Sequence, residues 1–165
     1  MEVNLCRDAE ASGSLVTDST GLVWCLETFE KTRELGRFLA GLLPAGSILL
    51  LKGPLGAGKT SLVQGLAEGL GIDEPVTSPT FALAQHYPQG IPQLIHLDLY
   101  RLEQKASADE LFLQEEEEAI ASDALMAIEW PERLGLLLPE AWRLEMSPEG
   151  RGRRAQLIPP RKASI

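Results

Sequence analysis

The apolar residues of this chain fall into two kinds of pattern. In the first they run without interruption, as in Leu22–Leu26 (LVWCL), Ser47–Lys52 (SILLLK) and Ala124–Ile128 (ALMAI). Such runs suit strands, and a run that is apolar on both faces suits a strand buried between two layers. In the second pattern they recur with helical spacing. Leu35, Phe38, Leu39, Leu42 and Leu43 stand at i, i+3, i+4, i+7 and i+8, which predicts a helix over 28–43. Pro44 and Gly46 end it. Residues 60–70 (TSLVQGLAEGL) repeat that period, and residues 108–121 are rich in helix formers.

Phe81–Tyr87 and Leu94–Leu97 read as further strands. Residues 141–147 and 154–158 read as two late, more polar strands, with turn chemistry at Glu149-Gly150. Residues 1–20 show no period and read as a loose lead-in, as do the last residues, 160–165. Apolar strands alternating with helices predict an α/β layer structure, with residues 1–165 forming one domain.

Length and composition support that reading. The chain has 165 residues, 44% of them hydrophobic, enough for one core. Its net charge of −9 argues against unaided binding to a phosphate backbone or an anionic membrane. The charge is uneven. Residues 103–123 carry eight acidic groups against Lys105, a net −7, whereas residues 143–165 carry six basic groups against Glu145 and Glu149, a net +4. The acidic stretch reads as a solvated helix face or a docking surface for a basic partner.

No apolar run approaches the roughly 18–20 residues of a membrane span, and the first 20 residues lack the pattern of a secretory signal. Cys6 and Cys25 read as free thiols, so a reducing cytoplasm is expected. His86 and His96 fit no zinc pattern.

The strongest chemical signal is Gly53-Pro54-Leu55-Gly56-Ala57-Gly58-Lys59-Thr60, which fits G-x-x-x-x-G-K-S/T completely. Glycines let the backbone curl so that N–H groups converge on phosphate oxygens, and the positive end of the following helix adds to them. Lys59 would contact the β- and γ-phosphates, and the Thr60 hydroxyl would ligate Mg²⁺. The loop lies between an apolar strand and a helix, the context it requires. Guanine-specific proteins carry an N/T-K-x-D element; this chain has none, and its single asparagine is Asn4. ATP or ADP is therefore the expected nucleotide.

A Mg²⁺–ATP site also needs an acid where a neighbouring strand emerges at its carboxyl end. Asp98 follows Leu94–Leu97, and Glu129 follows Leu125–Ile128. One is expected to hold the metal and the other to orient the attacking water. Ser78-Pro79-Thr80 reads either as an ordinary proline turn or as a loop whose Thr80 senses the γ-phosphate.

These pieces, in this order, resemble the bacterial TsaE family, formerly called YjeE. The resemblance runs from about Thr32 to Pro139 and rests on GPLGAGKTSLVQGLAEGLG, TSPTF, HLDLYRL and IEWPERLG. It implies a P-loop NTPase-like three-layer α/β sandwich, with a mostly parallel sheet and antiparallel additions. It also implies a Mg²⁺-dependent ATPase required for the threonylcarbamoyl modification of adenosine 37 in tRNA, acting with TsaB and TsaD.

By resemblance, Leu55, Gly56, Ala57, Gly58, Lys59, Thr60 and Ser61 hold the nucleotide, with Thr32 near it and Thr80 as a switch-like residue. Thr60, Asp98 and Glu129 would serve the metal, and Asp98, Glu129 and Trp130 the reaction. The segment DELFLQEEEEAIA departs from the family, lacking its glycine near Gln114 or Glu115 and its aromatic at Ala119.

ATP hydrolysis would then drive a conformational change in the TsaB–TsaD assembly, where TsaD carries the transferase chemistry. No internal arginine finger is evident, so turnover alone is expected to be slow; such a group is worth about 10³–10⁵ in rate. Gly150-Arg151-Gly152-Arg153-Arg154 reads as a hairpin tip that touches tRNA or a partner, or that serves solubility alone. Two other readings stay open. One is a small-metabolite kinase with Arg151, Arg153 and Arg154 as lid residues. The other is a nucleotide sensor that binds without hydrolysing.

Overall fold

The computed structural model describes residues 16–18, 21–79 and 81–161. Its centre is β3 (Ile48–Lys52), the strand that leads into the glycine-rich loop. α2 (Lys59–Gly69) follows that loop, and α1 (Phe29–Leu42) precedes β3. The other elements are β1 (Val16–Asp18), β2 (Gly21–Leu26), β4 (Ala84–Tyr87), β5 (Leu94–Asp98), α3 (Lys105–Ser122), β6 (Leu125–Glu129), β7 (Trp142–Glu149) and β8 (Gly152–Ile158).

All eight strands form one sheet in the order β1-β2-β8-β7-β3-β6-β5-β4. The four central strands, β7, β3, β6 and β5, run parallel. Antiparallel strands extend both sides: β8, β2 and β1 on one, β4 on the other. A parallel sheet must be covered on both faces, and this one is. Successive strand residues point to opposite faces. Leu49 and Leu51 therefore join the core under α1 and α2, while Leu50 joins the core under α3 with Ile95, Leu97 and Phe112. Leu49, Leu51 and Leu62 are fully buried, each contributing about 1.5–3 kcal/mol relative to exposure. The architecture is thus the expected three-layer sandwich.

α1 and α2 pack unusually close. A Cβ on Gly65 would lie 2.0 Å from the Arg33 carbonyl oxygen, and one on Gly36 would lie 2.3 Å from that of Leu62. Glycine at both positions lets the two helices meet backbone to backbone. At the outer side Glu68 accepts from Arg33 and from Arg37, the latter at 2.6 Å.

Four details correct the sequence reading. Val16–Asp18 pairs with β2, so the lead-in contains a strand. Phe81 to Leu83 form a turn, not the start of a strand: Leu83 has φ 62°, and the strand begins only at Ala84. The late hairpin turns at Gly150-Arg151, with β8 starting at Gly152. Cys25 is disulfide-bonded and not a free thiol; Cys6 lies outside the described residues.

In α3, Glu117 and Glu118 face solvent, while Glu115 is buried and bonds His86 of β4. Among the described residues no helix is long and apolar enough to cross a membrane.

Candidate functional site

The site lies at the carboxyl edge of the parallel strands, around the loop between β3 and α2. Gly56 and Gly58 have φ 76° and 99°, in the region that favours glycine. A Cβ on Gly53 would meet the Met146 carbonyl oxygen of β7 at 2.7 Å, so only glycine lets the loop leave the sheet there. Gly58 caps α2 without a side-chain hydrogen bond. The first-turn N–H groups of α2 are thus left for an anion.

Lys59 opens α2 and folds back over its own loop. Its Nζ donates to the carbonyls of Gly53 and, at 3.4 Å, of Pro54. It also lies 3.7 Å from the centre of the Trp130 ring. Burial pushes the Lys59 amine below the usual lysine range, while Glu129, Glu132 and Asp98 pull it up. The amine is held by weak partners that a phosphate oxygen replaces with stronger ones.

Strand register explains how the two acids converge. Asp98 and Glu129 are the last residues of β5 and β6 and pair directly across the sheet. By alternation, His96 and Asp98 share the sheet face covered by α2 with Ala127 and Glu129. Glu129 is buried, and its Oε1 accepts from Thr60 Oγ1 at 3.3 Å and lies 3.0 Å from His96 Nε2. Asp98 is half-buried; its Oδ2 accepts from Ser78 Oγ at 2.8 Å and its Oδ1 from the Tyr100 N–H at 3.0 Å.

Trp130 follows Glu129 with φ 60° and ψ 51°, a left-handed conformation costly for a bulky residue. It aims the indole back over Lys59 and against Tyr100, 4.8 Å between ring centres.

Loop residues Leu55 to Ser61, Ser78, Asp98, Glu129 and Trp130 line one cavity of about 440 Å³, a size suited to a nucleotide. Thr32 is not in its lining. It is fully buried behind Gly58, and its hydroxyl donates to the Thr28 carbonyl at 3.3 Å. Thr80 lies outside the described residues.

Among the described residues no group of three or more His, Cys, Asp or Glu side chains forms a metal cage. Two carboxylates and a hydroxyl on one edge instead fit Mg²⁺, which keeps waters and takes phosphate oxygens for the rest of its shell.

Residues 26–156 match the family described as "Threonylcarbamoyl adenosine biosynthesis protein TsaE". The chain belongs to the TsaE family. The chain is 51% identical over 106 residues to a Nostoc protein named tRNA threonylcarbamoyladenosine biosynthesis protein TsaE, covering 64% of this chain and 65% of that one. The match thus spans just under two thirds of that relative's length. A Bacillus subtilis protein of the same name is 35% identical over 119 residues, covering 72% of each chain. A solved structure, the crystal structure of Bacillus subtilis YdiB, superposes with a TM-score of 0.65 at 26% identity, covering 86% of this chain and 87% of that one.

The TsaE match extends past the resemblance read from about Thr32 to Pro139 and reaches into β8. There the structure corrects another expectation. Arg153 is not in the hairpin turn itself, which is Gly150-Arg151, but on the strand that follows it. Its guanidinium donates to the Gly56 carbonyl at 3.2 Å and sits 4.3 Å over the ring of Phe29. Arg154, also on β8, donates to Gln156 at 3.1 Å. Phe29, Tyr100 and Arg101 line the cavity too, and sequence reasoning missed all three. Tyr100 and Arg101 directly follow the Asp98-Leu99 pair, so proximity to a strand-end acid was an available signal. For Phe29 the signal was an aromatic off the apolar stripe of α1. Arg101 thus lines the cavity, and Arg153 bonds the loop that forms it.

Proposed function

We propose that this chain is a Mg²⁺-dependent ATPase that serves the N6-threonylcarbamoyl modification of adenosine 37 in tRNA, acting on a TsaB–TsaD assembly. The observation that carries the reading is the convergence of the complete phosphate loop with Thr60, Asp98 and Glu129 in one cavity. The names of the relatives support the tRNA pathway, and the resemblance to TsaE supplies the partners.

In this reading the loop N–H groups cradle the phosphates. Lys59 leaves the Gly53 and Pro54 carbonyls for β- and γ-phosphate oxygens. Mg²⁺, when bound, neutralises charge on the β- and γ-oxygens. Thr60 and Glu129 hold it, since they already hydrogen-bond each other beside the loop. Asp98, one strand further out, orients the attacking water, with Ser78 and the Tyr100 N–H fixing its carboxylate. Trp130 moves with Lys59, because the two side chains stack.

Turnover by the chain alone is slow, and the partner assembly speeds it. The acidic balance of −9 suits a protein that serves tRNA chemistry through partners, with any direct tRNA contact made by the basic C-terminal segment. The test is ATP turnover with and without TsaB–TsaD, beside analysis of tRNA adenosine 37 after depletion of the protein. Partner-stimulated turnover that disappears in Lys59→Ala, with loss of the modification, is the expected result. Unstimulated turnover, equal in Lys59→Ala, would overturn the reading.

A further inference from the structure

We propose that Arg101 is a catalytic arginine for the phosphoryl end of the site, held off the reacting group by the ring of Phe81. This rests on the ATPase reading above and adds a cation that the reading does not use.

Arg101 lines the same cavity as Lys59, Thr60, Asp98 and Glu129. Its backbone is fixed close to the acids. Past the end of β5 the chain turns at once. The Tyr100 N–H donates to Asp98 Oδ1 and the Leu102 N–H to the Leu99 carbonyl, both at 3.0 Å. Arg101 lies inside that turn and is exposed, so its backbone is set while its long side chain is free to swing.

The guanidinium spends none of its donors on protein. Among the described residues it makes no hydrogen bond and no ion pair, and it rests over the Phe81 ring, 4.9 Å from the ring centre. The other cations around the loop are committed: Lys59 to the Gly53 and Pro54 carbonyls, Arg153 to that of Gly56. The acids do not engage Arg101. Asp98 accepts from Ser78 and the Tyr100 N–H, and Glu129 from Thr60.

Phe81 has no place in the core, being 89% exposed. Backbone bonds put it beside Arg101. The Leu83 N–H donates to the Pro79 carbonyl at 2.8 Å, and the Leu83 carbonyl accepts from the Asp98 N–H at 3.0 Å. The turn that carries Phe81 is thus fastened to the strand end that carries Asp98. A cation over an exposed ring is held weakly, and charge-assisted bonds to phosphate oxygens are stronger.

In hydrolysis the water oxygen bonds to the γ-phosphorus and the bond to the bridging oxygen breaks. ADP leaves with that electron pair, and the water proton passes to an oxygen of the released phosphate. Between these states, charge spreads over the oxygens of the transferring group. A planar guanidinium pairs with two of them at once. Resting on Phe81 it is withheld, and turnover by the chain alone stays slow. A partner surface that takes the Phe81 ring frees it.

The experiment measures ATP turnover with and without TsaB–TsaD. Beside it, calorimetry measures binding to the full chain, with Mg²⁺, of ATP, of ADP, and of ADP with aluminium fluoride, a mimic of the planar phosphoryl group. Arg101→Ala is expected to lower both stimulated kcat and affinity for the aluminium fluoride complex by about 100-fold or more. ATP and ADP should still bind within a few-fold of wild type. Arg101→Lys, which keeps the charge but not the planar fork, should recover only part of both losses. Phe81→Ala is expected to raise turnover of the chain alone several-fold. Wild-type kcat and mimic affinity in Arg101→Ala, or an equal loss for ATP, would overturn the role of Arg101 while leaving the ATPase reading standing. Unchanged turnover in Phe81→Ala would overturn the hold exerted by the ring. Absence of both turnover and nucleotide binding in the unmodified chain would overturn the ATPase reading itself.

Discussion

His96 Nε2 lies 3.0 Å from Glu129 Oε1, and both side chains are buried. His96 Nδ1 has no hydrogen-bond partner among the described residues. This assigns the ring proton to Nε2, since a bare lone pair costs less to bury than an unpaired N–H. His96 is thus a positioning residue: it holds the Glu129 oxygen that also faces Thr60.

Loss of that support should be felt in both catalysis and stability. His96→Ala is expected to lower kcat about 10–100-fold, the usual range for a partner that orients a metal-binding carboxylate. Its empty, unpaired site should also cost about 1–3 kcal/mol in urea unfolding. His96→Gln, which keeps a donor, should recover part of kcat. Equal kcat in wild type and His96→Ala would remove the positioning role.

Lys59 is expected to separate function from stability. Burial disfavours its charged form in the fold, so a phosphate site of this kind is held at a stability cost. Lys59→Ala should therefore abolish measurable ATP binding while changing unfolding free energy by no more than about 1 kcal/mol. A large drop in stability would mean that the stack on Trp130 holds the loop together.

The helix pair tests the close approach of backbones. Gly65→Ala should cost about 1–3 kcal/mol, because its Cβ would sit 2.0 Å from the Arg33 carbonyl oxygen and the helices must part. Gly41→Ala in α1 meets nothing within 4 Å and should stabilise by up to about 1 kcal/mol. Thermal denaturation of the two variants side by side decides the matter, and a neutral Gly65→Ala would contradict the packing.

The ion pairs between those two helices, on their outer side, carry a pH signature. Hydrogen bonds from Arg33 first, and from Arg37 second, hold the Glu68 carboxyl below its ordinary 4.5. A depressed carboxylate stabilises the fold above the unfolded pKa, and that contribution is lost as pH falls through the folded value. The group is exposed, so Glu68→Gln should lower stability by under about 1 kcal/mol at pH 7. The difference from wild type should shrink to nothing as pH falls below 4.5 and through the folded value. A difference that persists in acid would mean that packing, and not charge, is lost.

Much of the site was legible because its parts are local. The phosphate loop needs a buried strand before it and a helix after it, and both are visible as apolar period in the chain. Asp98 and Glu129 stood out because each ends an apolar strand, and period 2 along β5 and β6 puts them on one face. What stayed hidden depends on long-range pairing or on unusual backbone. Arg153 meets Phe29 only because β8 lies antiparallel beside β2, a neighbour relation that no local pattern encodes. Phe81–Leu83 read as strand because its residues are apolar, yet Leu83 turns the chain at φ 62°. A strand as short as Val16–Asp18 leaves too few residues to show a period.

The central claim is that the edge formed by the loop, Thr60, Asp98 and Glu129 hydrolyses ATP. The most direct measurement is phosphate release from Mg²⁺–ATP in the presence of TsaB–TsaD, paired with ATP affinity, for wild type and Glu129→Gln. The account predicts release by the wild type and a loss of about 100-fold or more in Glu129→Gln, with ATP still bound within a few-fold of wild-type affinity. Release at the wild-type rate by Glu129→Gln, or none above background from the wild type, would contradict it.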